Sequence, residues 1–594
     1  MRSPLHSTIV AGSVLLGLIA GGGSAGAQSA AEPRSGVDAV AAPSTATFGA
    51  DDSPEGRELR GEIAVDIRDD VSQKDIAQLA AHFGLSLRPN SSWSQAHDNL
   101  EVADVDPMLE DAILDALAHD PRVEYAERMG LLWATFTPDD PLYADTQWHL
   151  RRVGAERAWN YSCGQGVTVA VIDTGVACFD KGPFSRGSDL VGTRCQGGWN
   201  FVADSAEAYD DHGHGTHVAG TIAQTTNNGI GTAGLAYCAT LMPVKVLNKQ
   251  GFGTVANVAE GIRFAADEGA QVINLSLGGP IRSRILEEAV NHALSKGALI
   301  VAAAGNSGRK VGWPAAYSGV IAVSATDDGD RIAWFSSRGP EIAVAAPGVS
   351  VTQQTVCNGG RDKCESFRAF NGTSMASPHV AGVAAMVEAL GVTRPAAVRD
   401  VLAASARPMQ DKELFGSGIL DGGAAVWRVF WRHFLMRAAA LAGLAWWLLR
   451  GRGQRRMQAR RIGVVLAGAL MASTGLFPLA PLFGIASREG WVGTVAHLAM
   501  RPLGEWDLLV SAGLHRWLFL ASALPVLGLT AVGFGSRLRP LIGGMALGST
   551  ALLVQMTWSL DTAFVAGPWL GAIWTAANAL VSLWIAWAAL GHAH

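Results

Sequence analysis

Four stretches with no Asp, Glu, Lys or Arg, residues 462–487, 517–536, 540–560 and 562–594, fill most of the last quarter of this 594-residue chain. Each is long enough to cross the roughly 30 Å hydrocarbon layer of a bilayer as a helix. A fifth stretch, 434–449, carries Arg437 near its outer end, from where a long cationic side chain snorkels toward water. The alternative, a buried soluble bundle, is opposed by composition. Every lysine lies at or before Lys412, and twelve of the nineteen tryptophans lie after Gly423, a distribution that fits a charge-poor segment with interfacial aromatic belts. Residues 430–594 are therefore expected to form an all-α membrane domain of about five helices. The segment 487–516, with Arg488, Glu489, His497, Arg501, Glu505, Asp507 and His515, reads as a polar loop with a surface-lying helix and no second catalytic set.

The N-terminus has the pattern of an export signal over residues 1–27: Arg2, the apolar run "TIVAGSVLLGLIA", then Ala25-Gly26-Ala27. Residues 28–54, rich in Ala, Ser, Pro and Gly, read as a linker. Export places the six cysteines, Cys163, Cys178, Cys195, Cys238, Cys357 and Cys364, in an oxidising environment. Fifteen pairings are open; Cys357 with Cys364, closing "CNGGRDKC", is the preferred pair, and buried reduced thiols are the alternative. The net charge of −6 comes without a basic block, so a nucleic-acid partner is not expected.

Residues 55–134 alternate in the order β-α-β-β-α-β, a small ferredoxin-like α+β unit. From 140 to 425, short apolar runs ("VTVAVID", "LMPVKVL", "VINLSL", "LIVAAAGN", "VIAVSAT") alternate with helical patterns. That order gives the α/β class, with a parallel sheet covered by helices on both faces. Sites in such sheets form where strands end and loops lead into helices.

Within that region "DDHGHGTHVAG" places His212, His214 and His217 within six positions. The spacing alone would serve a zinc ion or a hydrolase. Three further motifs favour the hydrolase: "VAVIDTGV" ends a strand on Asp173, "NGTSMASPHVAG" starts a helix at Ser374, and "VAAAGNSG" carries Asn306. A hydroxyl becomes a nucleophile when an imidazole takes its proton, and the imidazole needs a carboxylate to fix its tautomer. The chain order Asp, His, Ser with these flanking residues resembles the subtilisin-like serine peptidases over residues 140–425.

The resemblance implies a subtilisin-like sheet with Asp173, His214 and Ser374 as the triad, Asn306 as the oxyanion donor, and His212 and His217 as ordinary polar and packing residues. It further implies that Gly251, Phe252 and Gly253, with Ser276, Leu277, Gly278 and Gly279, grip an extended peptide as an added strand. Gly278 and Gly279 would leave room for a large apolar side chain before the scissile bond, and Phe252 would narrow a neighbouring pocket. A structural calcium ion is implied on Asp189, Thr226, Asn228, Ile230 and Thr232, with Asp204 and Asp210 as a weaker second site; a plain Asn-Gly turn is the alternative. The 55–134 unit would be an inhibitory, folding-assisting pro-region removed near "LLWATFTPDD", or else a retained docking domain.

The expected protein is an exported, self-processed, multi-pass membrane-tethered serine endopeptidase acting on proteins or peptides outside the cytoplasm. The "RGRGQRRMQARR" loop, with six arginines, and Arg537 and Arg539 would then face the cytoplasm, as would the C-terminus. Two rivals stand beside it: a membrane sensor or scaffold whose peptidase-like domain binds or processes a partner, and an inactive peptide binder.

Overall fold

The computed structural model describes residues 58–130, 137–180, 182, 184–356, 367–450, 459–480, 490–510, 512–535 and 537–591. The signal and linker readings and the preferred Cys357–Cys364 pair fall outside the described residues.

The first of two compact units contains β1 (Glu58–Ile67), α1 (Gln73–Phe83), β2 (Arg88–Pro89), β3 (Leu100–Asp104), α2 (Glu110–Ala118) and β4 (Val123–Gly130). The strands form an antiparallel sheet in the order β2-β3-β1-β4. Alternation in "GEIAVDI" puts Ile63, Val65 and Ile67 on one face of β1, where they meet Ile76 and Leu79 of α1 and Leu117 of α2. Ser72 caps α1 by accepting from the Asp75 N–H at 3.3 Å, satisfying one of the donors a helix start leaves free.

The second unit is built on β5 (Thr168–Asp173), β6 (Arg194–Cys195), β7 (Trp199–Asn200), β8 (Thr240–Lys245), β9 (Val272–Leu275), β10 (Leu299–Ala303), β11 (Ile321–Thr326) and β12 (Ile342–Pro347). The order is β12-β11-β10-β9-β5-β8-β6, with β7 beside β8 and every pair parallel. Side chains alternate between the two faces of a strand, and the two cores follow that rule. Val169, Val171, Leu241, Val272 and Val301 face α3 (His214–Ala223) and a later helix, Thr373–Glu388. Ala170, Ile172, Val244, Ile273 and Ile300 face α4 (Val255–Asp267) and α5 (Arg284–Ser295). Buried on both sides, the strands read as continuous apolar runs. Disulfides join Cys163 to Cys238 and Cys178 to Cys195, so these four cysteines are bridged and not reduced thiols.

The helix Thr373–Glu388, α6, is buried almost all round, as a run of small and apolar residues on every face requires. After it come α7 (Gly422–Arg450), α8 (Ala459–Ser473), α9 (Gly490–Met500), α10 (Leu524–Gly533), α11 (Arg539–Ser559) and α12 (Pro568–Gly591). The boundary expected near 425–430 falls inside one continuous helix. Ala425, Val426 and Val429 of α7 belong to the peptidase-side core, and Leu441 and Leu444 pack into the tail.

Side-chain register fixes the sense of the tail helices. A Cβ on Gly544 would meet the Val465 carbonyl and one on Gly548 the Ala469 carbonyl, so α8 and α11 lie close and run parallel. Small residues allow this close backbone approach. Arg437 Nε donates to Gln555 Oε1, while Leu441 and Leu444 join the Ile542, Ala546 and Leu547 cluster, so α7 runs opposite to α11. Arg539 reaches the Ala588 carbonyl and Thr557 bonds Thr575, so α12 also runs opposite to α11. One end of the bundle therefore holds Arg450, Arg461 and Arg539. The other holds Arg437, Ser473 and Asp561, and meets the sheet domain where the Thr393 and Arg394 N–H groups donate to the Asp561 carbonyl.

The tail departs from the sequence reading in three places. α11 and residues Pro568–Leu590 of α12 are long and apolar enough to cross a membrane, but 517–536 is helical over only ten residues, about 15 Å. Arg437 does not snorkel: it is buried, paired with Glu505 and bonded to Gln555. The polar segment after 490 is not a surface loop either, because His497, Arg501, Glu505, Asp507 and His515 are all buried. Glu505 pairs with Arg437, Asp507 with His515, and His497 lies against Cys163 Sγ. Charges that find partners this way can be buried.

Candidate active site

β5, β8 and β9 all deliver their C-terminal ends to one edge of the sheet. Asp173, the last residue of β5, is fully buried, and its Oδ1 accepts from His214 Nδ1 at 2.7 Å and from the Thr174 N–H at 2.7 Å. His214 is the first residue of α3. The turn before it is held by Asp210, whose Oδ1 accepts from the His212 and Gly213 N–H groups and the Thr174 hydroxyl. Its Oδ2 accepts from the N–H and hydroxyl of Thr216. Gly215 is required next to the histidine, because a Cβ there would lie 2.1 Å from the Gly175 carbonyl oxygen. Burial disfavours the imidazolium of His214, but the Asp173 charge and hydrogen bond, with Asp210 behind them, outweigh it. The pKa of His214 is raised above the ordinary 6.5.

Ser374 lies in the first turn of α6, facing Ser276 just beyond β9. Its hydroxyl donates to the Ser276 carbonyl at 3.1 Å, and the Ser276 hydroxyl donates to the Ser374 carbonyl at 2.7 Å. The second bond has a sequence cause. Pro378, four residues on, has no N–H to give the Ser374 carbonyl, and Ser276 replaces that donor. Asn306, after β10, accepts from both the N–H and the hydroxyl of Thr373 through Oδ1, each at 2.9 Å. The position a Cβ would take on Gly372 lies 3.4 Å from Asn306 Nδ2 and 3.6 Å from the Ser374 N–H nitrogen. Asn306 Nδ2 and the Ser374 N–H nitrogen thus both lie beside Gly372.

The histidine cluster separates cleanly. His212 lies against Gly251, with its ring 6.3 Å from that of His214. His217 is buried one turn down α3, bonded to the Val351 and Arg368 carbonyls and stacked on Phe370. Burial pushes its pKa down to about 3. Among the described residues no group of three or more His, Cys, Asp or Glu is placed to hold a metal.

The two expected peptide-gripping segments sit at the same sheet edge, Gly251–Gly253 after β8 and Ser276–Gly279 after β9. Phe252 is 74% exposed. Gly279 exchanges hydrogen bonds with Trp313, and a Cβ on Gly279 would meet open space.

Asp189 is fully buried, accepting from Asn228 Nδ2 at 2.8 Å and from the Thr232 N–H at 2.9 Å. The Ile230 N–H donates to Asn228 Oδ1, and the Thr226 hydroxyl bonds the Gln224 carbonyl. Asp204 and Asp210, the expected weaker second site, differ in burial. Asp210 commits both oxygens to the histidine turn, while Asp204 lies exposed.

Sequence reasoning missed two residues here. Lys245 is buried at the end of β8, donating to the Thr174 and Leu247 carbonyls and to Asp211. It clamps the loop behind Asp173, and the signal was a lysine inside the apolar run "LMPVKVL". Asp140, from the stretch before the sheet, accepts from the Asn227 N–H at 2.7 Å and leaves Oδ1 buried without a partner.

The sequence matches the Subtilase family of S8 peptidases over residues 164–418. It is 38% identical over 357 residues to the thermophilic serine proteinase of Bacillus sp. (strain AK1), covering 60% of this chain and 84% of that one. The chain belongs to the subtilase family. Thermitase of Thermoactinomyces vulgaris is 42% identical over 259 residues, 43% of this subtilase and 87% of thermitase. Subtilisin Savinase of Lederbergia lenta is 42% identical over 281 residues, 47% of this chain and 97% of Savinase. Kinship at this level makes the protein a hydrolase, a subtilisin-like serine endopeptidase, with additional regions before and after the catalytic domain.

Proposed function

We propose that Asp173, His214 and Ser374 are the catalytic triad and Asn306 the oxyanion donor of a membrane-tethered, self-processed endopeptidase. The observation that carries the reading is the 2.7 Å Asp173–His214 pair on the sheet edge that also presents Ser374 and Asn306. Asp173 accepts at Nδ1, so that nitrogen carries the proton and Nε2 is left as the base. The Ser374 hydroxyl turns from the Ser276 carbonyl to His214, gives up its proton and attacks the peptide carbonyl. Negative charge gathers on the carbonyl oxygen between Asn306 Nδ2 and the Ser374 N–H. The His214 proton then goes to the leaving amine, and water releases the acyl group by the same route. Exchanging Asn306 for Ala removes a donor that acts mainly in the transition state. The expected result is a kcat lower by roughly 10²–10³-fold, the size of this loss in subtilisin, with KM little changed. A kcat near that of the parent removes Asn306 from the mechanism.

The segments Gly251–Gly253 and Ser276–Gly279 are proposed to pair with an extended substrate backbone, with the opening beside Gly279 receiving a large apolar side chain. The 58–130 unit is proposed as a ferredoxin-like pro-region.

A structural calcium ion is proposed on Asp189, Asn228 and the carbonyls of Thr226, Ile230 and Thr232, with Asp140 as an added ligand. The donor set suits a hard cation, and two features support it. Asp140 has an unpartnered buried oxygen, and burial pushes the Asp189 and Asp140 carboxyls up to about 7 and about 6. Two buried acids with no counter-charge among the described residues are what a bound cation would stabilise. At a hundredfold excess over Kd, calcium is expected to stabilise the fold by about 2.7 kcal/mol, read as a rise in unfolding temperature that Asp189→Asn removes. An unfolding temperature indifferent to chelator counts against the site.

The tail is proposed to anchor the enzyme in a membrane with the peptidase outside the cytoplasm. Support comes from Arg461 and Arg539 at the end away from the sheet domain, set against Arg432 and Arg437 at the other end, which are paired with Asp561 and Glu505. Because α8 and α11 run parallel, the chain returns across the bundle between them despite the short α10, and cytoplasmic reporters fused at 455 and 594 give signal while a phosphatase fused at 564 is active. A C-terminal fusion that reports from outside overturns this orientation.

A further inference from the structure

A cavity of ≈ 30 Å³ opens at the sheet-domain end of the helical tail, lined on its polar side by His433, Arg437, Thr474, Arg501 and Glu505. Its remaining wall is apolar and includes Leu390, from the turn that ends the serine helix. The polar wall is out of balance in charge. Arg437 pairs with Glu505, and His433 is held by Asp561, which also takes Arg432. Among the described residues Arg501 has the same glutamate as its only ion partner, at 3.9 Å, and its buried Nη1 has no hydrogen-bond partner. Arg501 is 5% exposed. Two guanidinium groups thus line the cavity against one carboxylate.

Burying a guanidinium costs several kcal/mol unless a partner and hydrogen bonds compensate it. Guanidinium is matched in shape to carboxylate and phosphate oxygens, and it binds them in preference to water. The cavity holds about two to three times the 10–15 Å³ that one water needs, so an oxyanion head has room. From these observations we infer that the cavity is a binding site for a phosphate-type oxyanion, held by Arg501 with Arg437 behind it. The site is separate from the catalytic edge of the sheet. It touches the turn after α6 through Leu390 and lies where α7 leaves the peptidase core. The phosphate has two sources, a free ion or the headgroup of an anionic lipid; only the second rests on the membrane reading.

The test uses the full chain, first in detergent and then in nanodiscs, with unfolding temperature as the readout. Inorganic phosphate is titrated in detergent. Nanodiscs of phosphatidylcholine are compared with nanodiscs containing phosphatidylglycerol. A saturable rise with phosphate, lost in Arg501→Gln, supports a free-ion site. A rise only with phosphatidylglycerol, lost in the same variant, supports a lipid headgroup. No rise in either arm, or a rise undiminished in Arg501→Gln, overturns the inference. If Arg501→Gln does not fold, Arg501→Lys takes its place: it keeps the charge but loses the fork, and at least tenfold weaker apparent binding is expected. Undiminished binding in Arg501→Lys is then the overturning result.

Discussion

Exchanging Ser374 for Ala is expected to lower kcat by roughly 10⁶-fold, the size of the corresponding loss in subtilisin, and to leave the N-terminal unit attached. The hydroxyl is the only atom removed, and the two hydrogen bonds between Ser374 and Ser276 show how little else depends on it. The Ser276 hydroxyl still reaches the residue 374 carbonyl, so the turn at Pro378 keeps its donor. Loss of activity with an unchanged fold therefore isolates the nucleophile. Expression in a protease-deficient host adds the second readout, since a chain cut within 134–140 despite the substitution would mean that another enzyme does the processing. Circular dichroism and unfolding temperature serve as the control for folding.

The second large effect is at Asp173. Exchange for Asn keeps the shape but removes the charge that holds His214 in the tautomer with its proton on Nδ1. A loss of about 10⁴-fold in kcat is expected, the size of the same exchange in an unrelated Ser-His-Asp peptidase. The substitution also carries a pH signature. Asp173 is the chief influence raising the His214 pKa against burial. Without it burial prevails and the pKa falls. Neutral imidazole is the form that accepts the serine proton, so the parent loses activity as pH drops through a midpoint above 6.5. In Asp173→Asn the residual activity persists to lower pH. An acid limb in the same place for both proteins shows that Asp173 does not govern the histidine.

How legible this protein was depends on the kind of residue. The continuous apolar run in "VTVAVID" and its neighbours located the parallel sheet, because a strand buried on both faces has few other sequences open to it. The residues at its edge were legible for the same reason: a polar side chain at the end of an apolar strand, such as Asp173, has to be explained. Support further back was harder to see. Asp210 reads locally as one more acid in a loop, and only the fold shows it accepting five hydrogen bonds around His214. Lys245 gave a signal that reasoning about apolar runs passed over.

The tail marks the other limit. Charge-free runs revealed apolar helices, but hydropathy counts residues and not their partners. Arg437, Arg501, Glu505, Asp507 and His515 read as exposed because each alone is costly to bury. They are brought together from helices and turns up to 78 positions apart in the chain, a proximity no local window contains. The disulfides follow the same logic. Cys163 and Cys238 are separated by 75 positions, and sequence alone does not choose that pairing among fifteen.

The central claim is that Ser374, activated by His214 and Asp173, is the nucleophile of a working endopeptidase. Labelling the purified, processed protein with a serine-reactive phosphonate probe, followed by peptide mass mapping, tests it most directly. The account predicts one adduct, on Ser374, absent from denatured protein. A folded, processed protein that takes no label at Ser374 would contradict it.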